Sequence, residues 1–366
     1  MTRNAPIRDL LTVIITTSPT PSAPSTELIS SILDSFDRHC PALTACNVIV
    51  VFDAFDQIVP TARLKKGQVT PQQAADFNSY KKNVKDLILR KYHHDAATAA
   101  FTRRNAIAEY GSPCDPQNTV DYTISQTPDD KVTFIEPSRR LGFGLAVRSA
   151  LRVTQTPHVW VQQHDWALVA DLPIEPLLQI MQIRESDPEA PMKYVCLSAV
   201  RMLSYATSSD VMRFPALCEL SSSLTRDYES PSQPDVKVPL TPMYFWHDKP
   251  HVASTAHYLE RVFPTRLAML RGDFIEDKIG QRARAQMKDG LWSKWATWLY
   301  YPDNGKQLCL RHLQGRTWEG TTRQADRAAM WRQKNEANRV PEKEPSVEVD
   351  EIQDLSLYLE GDEHAQ

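Results

Sequence analysis

The 366-residue sequence predicts an α/β fold, a Rossmann-like, mostly parallel sheet flanked by helices in a single large domain with a helical insertion and a C-terminal extension. Three observations carry that expectation. Short β-branched apolar runs, of the kind buried on both faces of a sheet, recur at 11–17, 47–52, 131–136, 158–162 and 194–200. Amphipathic helical segments separate them. The first strand, helix and second strand fit within about forty residues, the length of a βαβ unit with its right-handed crossover.

Each element has its own signal. Leu11-Thr-Val-Ile-Ile-Thr-Thr17 is the first strand, and a Ser/Pro/Thr loop follows at 18–25. Leu28, Ile29, Ile32, Leu33 and Phe36 then recur at helical spacing, with Ser25 or Thr26 available as N-cap. The second strand, 47–52, ends in Asp53. Residues 57–125 read as an insertion of mixed helix and loop, with an amphipathic helix at 77–92 carrying Val84, Leu87, Ile88 and Leu89. A strand at 131–136 leads to a helix at 142–153 whose apolar face is Leu145, Val147, Ala150 and Leu151. The strand at 158–162 runs straight into Gln163-His164-Asp165-Trp166. Asp171 is expected to cap a helix through Ile183, followed by a strand at 194–200. Pro, Ser and Asp dominate 213–242, which predicts a long loop, and helices resume near 255–262 and 275–286. There is no internal repeat.

Charge divides the chain unevenly. Against 42 Lys+Arg stand 45 Asp+Glu, a net −3. Residues 341–366 alone hold nine acids and one Lys, which leaves the first 340 residues at +5. The stretch 311–339 is basic, and the acidic tail is expected to be disordered apart from a short amphipathic turn at 352–359. A balance so near zero gives no reason to expect nucleic acid or an anionic membrane as partner. No run of about 18 apolar residues occurs, so no segment is expected to cross a bilayer. The apolar run near the start, 10–15, is too short for a signal peptide. Six cysteines without CxxC spacing read as reduced thiols, several of them buried, and a cytoplasmic location is expected.

In an open parallel sheet, ligands bind beyond the carboxyl ends of the strands. Those ends here carry Thr16-Thr17-Ser18, Asp53 and Gln163-His164-Asp165. Hydroxyls and carboxylates at such positions suit a polar ligand with phosphate and ribose; the alternative is ordinary turn residues and helix caps.

The segment Arg140-Leu-Gly-Phe-Gly-Leu-Ala-Val-Arg148, with the following strand and Gln163-His164-Asp165, resembles the core of family-2-type glycosyltransferases of the glycosyltransferase A fold. Phe274-Ile-Glu276-Asp277-Lys-Ile-Gly280 is similar to that family's Glu-Asp motif, and His312-Leu-Gln-Gly-Arg316 to the late His that completes a metal shell. The resemblance covers residues 10–316 with a gap at 57–125. It implies an inverting, hexosyltransferase-like enzyme moving a sugar from a nucleotide-diphosphate donor to a carbohydrate or other hydroxyl acceptor. Asp277 would be the general base and Glu276 would orient the acceptor. Thr16, Thr17, Ser18, Asp53, Arg140, Arg148, Gln163 and His164 would contact the donor. Asp165 and His312 would hold a divalent cation, Mn²⁺ or Mg²⁺. It further implies a nucleotide-sugar half at 8–200, an acceptor and catalytic half at 201–318, and a basic helical extension at 319–340 ahead of the tail.

One departure is plain: Gln163 replaces the first acid of the Asp-x-Asp metal motif. Oxygen-seeking cations also take ligands from the substrate's diphosphate, so a single carboxylate can suffice. His164 is the other replacement, although on an extended strand it points away from Asp165. Processive relatives carry membrane helices and Gln-x-x-Arg-Trp after the Glu-Asp pair, and neither occurs. The alternatives are a non-catalytic sugar-binding or scaffolding protein of the same fold and, with less support, a sugar-1-phosphate nucleotidylyltransferase. The latter needs a Gly-rich basic loop where this chain has Ser18-Pro-Thr-Pro-Ser-Ala-Pro24. Trp246-His247 and the trio Trp292, Trp295 and Trp298 are either sugar-stacking platforms or core. His93-His94-Asp95 looks like a metal cluster or a solvated face.

Overall fold

The run Leu11–Thr17 forms β1, buried at every position because its β-branched and apolar side chains meet packed layers on both faces. The structure, a computed structural model, describes residues 5–93 and 100–337. The helix Glu27–His39 follows β1 and buries Leu28, Ile29, Ile32, Leu33 and Phe36. Thr26 occupies its N-cap position without a side-chain bond, and it is the Ser25 hydroxyl that accepts the Glu27 N–H, at 3.2 Å. β2 (Asn47–Phe52) then lies parallel to β1 with Thr17 opposite Phe52. β3 (Gln57–Ile58) and β4 (Gln68–Val69) make a small separate ribbon just beyond Asp53.

The helix Pro71–Tyr92 starts six residues before the predicted 77. Thr70 and Gln73 form a capping box there, each side chain accepting the other's backbone N–H. Next come β5 (Thr102–Glu109) and β6 (Thr119–Gln126), an antiparallel pair inside the segment read as helix and loop. β6 pairs antiparallel with β7 (Val132–Pro137), which lies parallel to β2. The helix Phe143–Leu151 returns to β8 (His158–Gln163), parallel to β1 on its other side. β9 (Trp166–Leu168) follows, then the helix Ile174–Arg184 and β10 (Tyr194–Leu197). The remaining strands are β11 (Arg226–Ser230), β12 (Gln233–Pro242), β13 (His251–Ser254), β14 (Thr297–Tyr300) and β15 (Leu310–His312).

Eleven strands make one sheet in the order β11-β12-β14-β10-β13-β8-β1-β2-β7-β6-β5. Within it only β6, β12 and β13 run against the rest, so the predicted mostly parallel α/β sheet is what forms. No helix among the described residues is long and apolar enough to cross a membrane.

Two local expectations fail. Residues 213–242 are not a long loop: the helix Pro215–Leu224 and the hairpin β11–β12 occupy them. Their prolines and polar residues hid a period-2 pattern that buries Val238 and Leu240 on one face. Asp171 does not cap a helix; its carboxylate lies 2.9 Å from His39 Nδ1. The helix starts only at Ile174, because a residue preceding proline is pushed to extended backbone and Leu172 precedes Pro173.

The cysteines are free thiols, with Cys40, Cys46, Cys196 and Cys309 buried. The tryptophans Trp246, Trp292, Trp295 and Trp298 are core rather than sugar platforms. Trp292, Trp295 and Trp298 donate their indole N–H to Thr297 and Met243 carbonyls, Gln286 and the Pro191 carbonyl. His93 lies 3.7 Å from Asp129, while His94, Asp95 and the acidic tail fall outside the described residues.

Candidate active site

The carboxyl ends of β1, β2 and β8 come to one level because of their register. Asp53 donates its N–H to Thr17 O at 2.7 Å and His164 its N–H to Thr16 O at 3.1 Å. Beyond them opens a cleft of about 790 Å³. Thr16, Thr17, Ser18, Asp53, Arg140, Gln163, His164, Asp165, Glu276, Asp277 and His312 all line it. Eleven of the twelve predicted site residues therefore share one cavity although they span 297 positions of sequence.

The exception is Arg148. Phe143 and Ala146 line the cleft, and at 3.6 residues per turn position 148 falls on the far side of the same helix. Arg148 is 1% exposed and gives its Nη2 to the Glu109 carbonyl, leaving Nε and Nη1 unpartnered. Burial, aided by nearby Arg152, draws its guanidinium down to about 10. Its side chain is thus placed outside the cleft that the other eleven line.

Asp165 and His312 face each other across the pairing of β9 with β15. Asp165 Oδ2 lies 3.2 Å from His312 Nε2 and accepts the Gly315 N–H at 3.1 Å, while its buried Oδ1 has no partner. Burial alone would raise this carboxyl, but His312 and the Gly315 N–H outweigh it and hold it well below the usual carboxylate range. The His312 ring stacks on Trp166 with centroids 4.5 Å apart and 22° between planes. An ionised, buried carboxylate with a free oxygen beside an imidazole is a donor set that suits a divalent cation. Among the described residues no group of three or more His, Cys, Asp or Glu gathers for a metal, so remaining ligands would have to come from substrate oxygens and water.

His164 belongs to a different network. Its Nδ1 accepts the Ser18 N–H at 3.2 Å and lies 2.9 Å from Thr17 Oγ1, which in turn meets Tyr80 Oη at 2.8 Å. Burial lowers its basicity, which suits a neutral ring accepting at Nδ1. Asp53 fixes the loop that leads into the helix Phe143–Leu151: its carboxylate accepts the N–H groups of Leu141 at 2.6 Å and Gly142 at 3.1 Å. Burial nevertheless raises Asp53 to about 6. Gly142 must be glycine, since its φ is +80° and a Cβ would stand 2.4 Å from Gly272 Cα.

On the opposite wall Glu276 and Asp277 open a π-helical turn, Glu276–Gly280, a distortion that often marks functional sites. Glu276 is engaged: Oε1 lies 3.3 Å from His247 Nδ1, and Oε2 accepts the Asp248 N–H at 3.2 Å with Lys249 Nζ at 4.0 Å. Burial opposes its ionisation, but His247 and Lys249 prevail and hold it at about 2. Asp277 is exposed to the cleft.

Asp248 and Lys249 were missed by sequence reasoning, which weighed only the neighbouring Trp246-His247. A charged pair set between the apolar run 243–246 and the strand at 251–254 is the signal that could have found them. Gln163 donates its Nε2 to Asp248 O at 2.9 Å and so ties the two walls together. Lys65, Arg201 and Arg316 also line the cleft and bring further positive charge to it.

No family model matches the chain, and no curated protein does. Solved structures similar to it include a mannosyltransferase from Pyrobaculum calidifontis in complex with GDP-Man and Mn²⁺, at 14% identity over 81% of this chain and 58% of that one, TM-score 0.35. S. aureus TarS, residues 1–349, is 11% identical over 82% of this chain and 59% of that one, TM-score 0.38. Glucosyl-3-phosphoglycerate synthase from Mycobacterium tuberculosis, in complex with Mn²⁺, UDP and glucosyl-3-phosphoglycerate, is 12% identical over 80% of this chain and 69% of that one, TM-score 0.31. The chain thus spans less than two-thirds of the length of the first two.

Proposed function

We propose that this protein transfers a sugar from a nucleotide-diphosphate donor to an acceptor hydroxyl, with inversion at the anomeric carbon. The observation that supports it most is the meeting, in one cleft, of the Asp165–His312 pair with the Glu276–Asp277 turn, ringed by lysine and arginine side chains. The donor's diphosphate belongs near Asp165, His312 and Arg140, with the nucleoside against the ends of β1 and β2. A divalent cation at Asp165 and His312 would supply charge neutralisation for the departing diphosphate. Arg140 adds a fork suited to phosphate oxygens.

Asp277, exposed to the cleft, serves as general base. It takes the proton of the acceptor hydroxyl as that oxygen bonds to the anomeric carbon, and the electron pair of the breaking C–O bond leaves with the nucleoside diphosphate. Glu276, already committed to His247, Lys249 and the Asp248 N–H, is better placed to orient than to accept a proton. With Asp277 taking the acceptor's proton and the acceptor oxygen attacking the anomeric carbon directly, the reaction is a single displacement, which inverts configuration.

The test is release of nucleoside diphosphate from a panel of nucleotide sugars, each with and without Mn²⁺ and with simple sugar acceptors. Saturable release that needs an acceptor supports the reading. Donor binding without turnover on every acceptor would favour a non-catalytic sugar-binding role.

A further inference from the structure

Asp248 is 5% exposed and sits where both cleft walls meet. It forms a reciprocal clasp with Glu276: Asp248 Oδ1 accepts the Glu276 N–H at 3.1 Å, and Glu276 Oε2 accepts the Asp248 N–H at 3.2 Å. Its carbonyl also takes the Gln163 amide at 2.9 Å. The second carboxyl oxygen, Oδ2, is buried without a partner. The adjacent basic groups go to Glu276, with His247 Nδ1 at 3.3 Å and Lys249 Nζ at 4.0 Å; burial holds the His247 ring toward its neutral form, and Asp248 makes no ion pair among the described residues.

Of two carboxyls in contact, the more deeply buried one, with no basic group paired to it, is the one that stays neutral. Glu276 has Lys249 and the His247 ring beside it and is the less buried of the two. The groups facing Asp248 reinforce this: Glu276 and Asp277 from the π-helical turn, Tyr258 from the segment Tyr258–Val262, Tyr194 from β10, and only Lys249 on its own segment as a countercharge. We propose that Asp248 is a positioning residue working as a neutral carboxylic acid, which locks the backbone of Glu276 and so aims the next residue, Asp277, into the cleft. The proton resides on Oδ2, leaving Oδ1 to accept the Glu276 N–H. The inference rests on the glycosyl-transfer reading for its consequence, though not for the protonation itself. Burial and the Glu276 charge hold the Asp248 carboxyl well above its ordinary range, in keeping with that state. Ionising it sets a second negative charge against Glu276 and loosens the turn, so activity is lost as pH rises through the value at which Asp248 titrates.

The experiment compares Asp248→Asn and Asp248→Ala in the full-length protein. Asparagine reproduces a neutral group with an acceptor oxygen, so D248N is expected to keep turnover within about fivefold of the parent, whereas D248A loses it by roughly a hundredfold. The parent loses activity at alkaline pH and D248N lacks that limb. A D248N protein as inactive as D248A, or one with the parent's alkaline limb, overturns the proposal. Infrared difference spectra of parent minus D248N at neutral pH test the protonation without any turnover. The carbonyl stretch of a protonated carboxylic acid is expected, and its absence overturns the proposal even if transfer is demonstrated. Its presence in a protein that transfers no sugar would instead count against the glycosyl-transfer reading alone.

Discussion

His312 Nε2 lies 3.2 Å from Asp165 Oδ2, and the two residues are held there by the pairing of β15 with β9 and by the stack of His312 on Trp166. The contact joins positions 147 residues apart. It is a prepared pair of an ionised carboxylate and an imidazole at the mouth of three parallel strands.

If that pair holds a divalent cation, His312→Ala should weaken Mn²⁺ binding by at least about tenfold while leaving the melting temperature within a few degrees. Titration calorimetry with Mn²⁺ alone, without donor, provides the comparison. Equal affinity in H312A would remove His312 from the metal site.

Asp53 yields a prediction about stability. Its carboxyl is raised to about 6 in the fold from an ordinary 3.8. A raised acid contributes stability that is fully present below the unfolded value and is lost as pH rises through the folded one. Urea unfolding should therefore show a term of order 2–3 kcal/mol lost between about pH 4 and 7 that is missing in Asp53→Asn. An unchanged pH dependence in D53N would place the effect elsewhere.

Arg148→Met is expected to leave donor affinity within about twofold of the parent. Exchanging a buried, poorly partnered cation for an apolar side chain of similar length is often neutral for stability. Equilibrium dialysis with the nucleotide sugar reads the first effect and urea melts the second. A tenfold loss of affinity would return Arg148 to the binding machinery.

Gly142→Ala tests the backbone that frames the cleft. The positive φ and the 2.4 Å approach of Gly272 Cα predict destabilisation of about 3 kcal/mol or more. A variant as stable as the parent in urea would show that the 272 loop gives way at little cost.

How much of this was legible in the sequence depends on the range of the interactions involved. β1, β2, β7 and β8 declare themselves locally, because a strand buried on both faces must be apolar throughout. β5, β6 and β12 were hidden, since an outer strand with one solvated face carries charge and even proline, as Arg103, Arg104 and Pro239 show. The cleft residues at strand ends were legible from position alone. Arg148 was not: a motif gives its place in the chain, but only the helix phase decides which face it takes. Asp248 was legible at most as half of a charged pair beside an apolar run; its place in the site comes from Glu276, 28 residues away, and from a buried oxygen with no partner.

Asp277→Asn decides most about the chemistry. In the nucleoside-diphosphate release assay, with the best donor and acceptor of the parent, D277N should lose kcat by about a thousandfold or more. Its dissociation constant for the nucleotide sugar should stay within about threefold, because the proposed base meets the acceptor rather than the donor. Turnover in D277N within about tenfold of the parent would contradict Asp277 as the general base and, with it, the assignment of this cleft as an inverting transferase site.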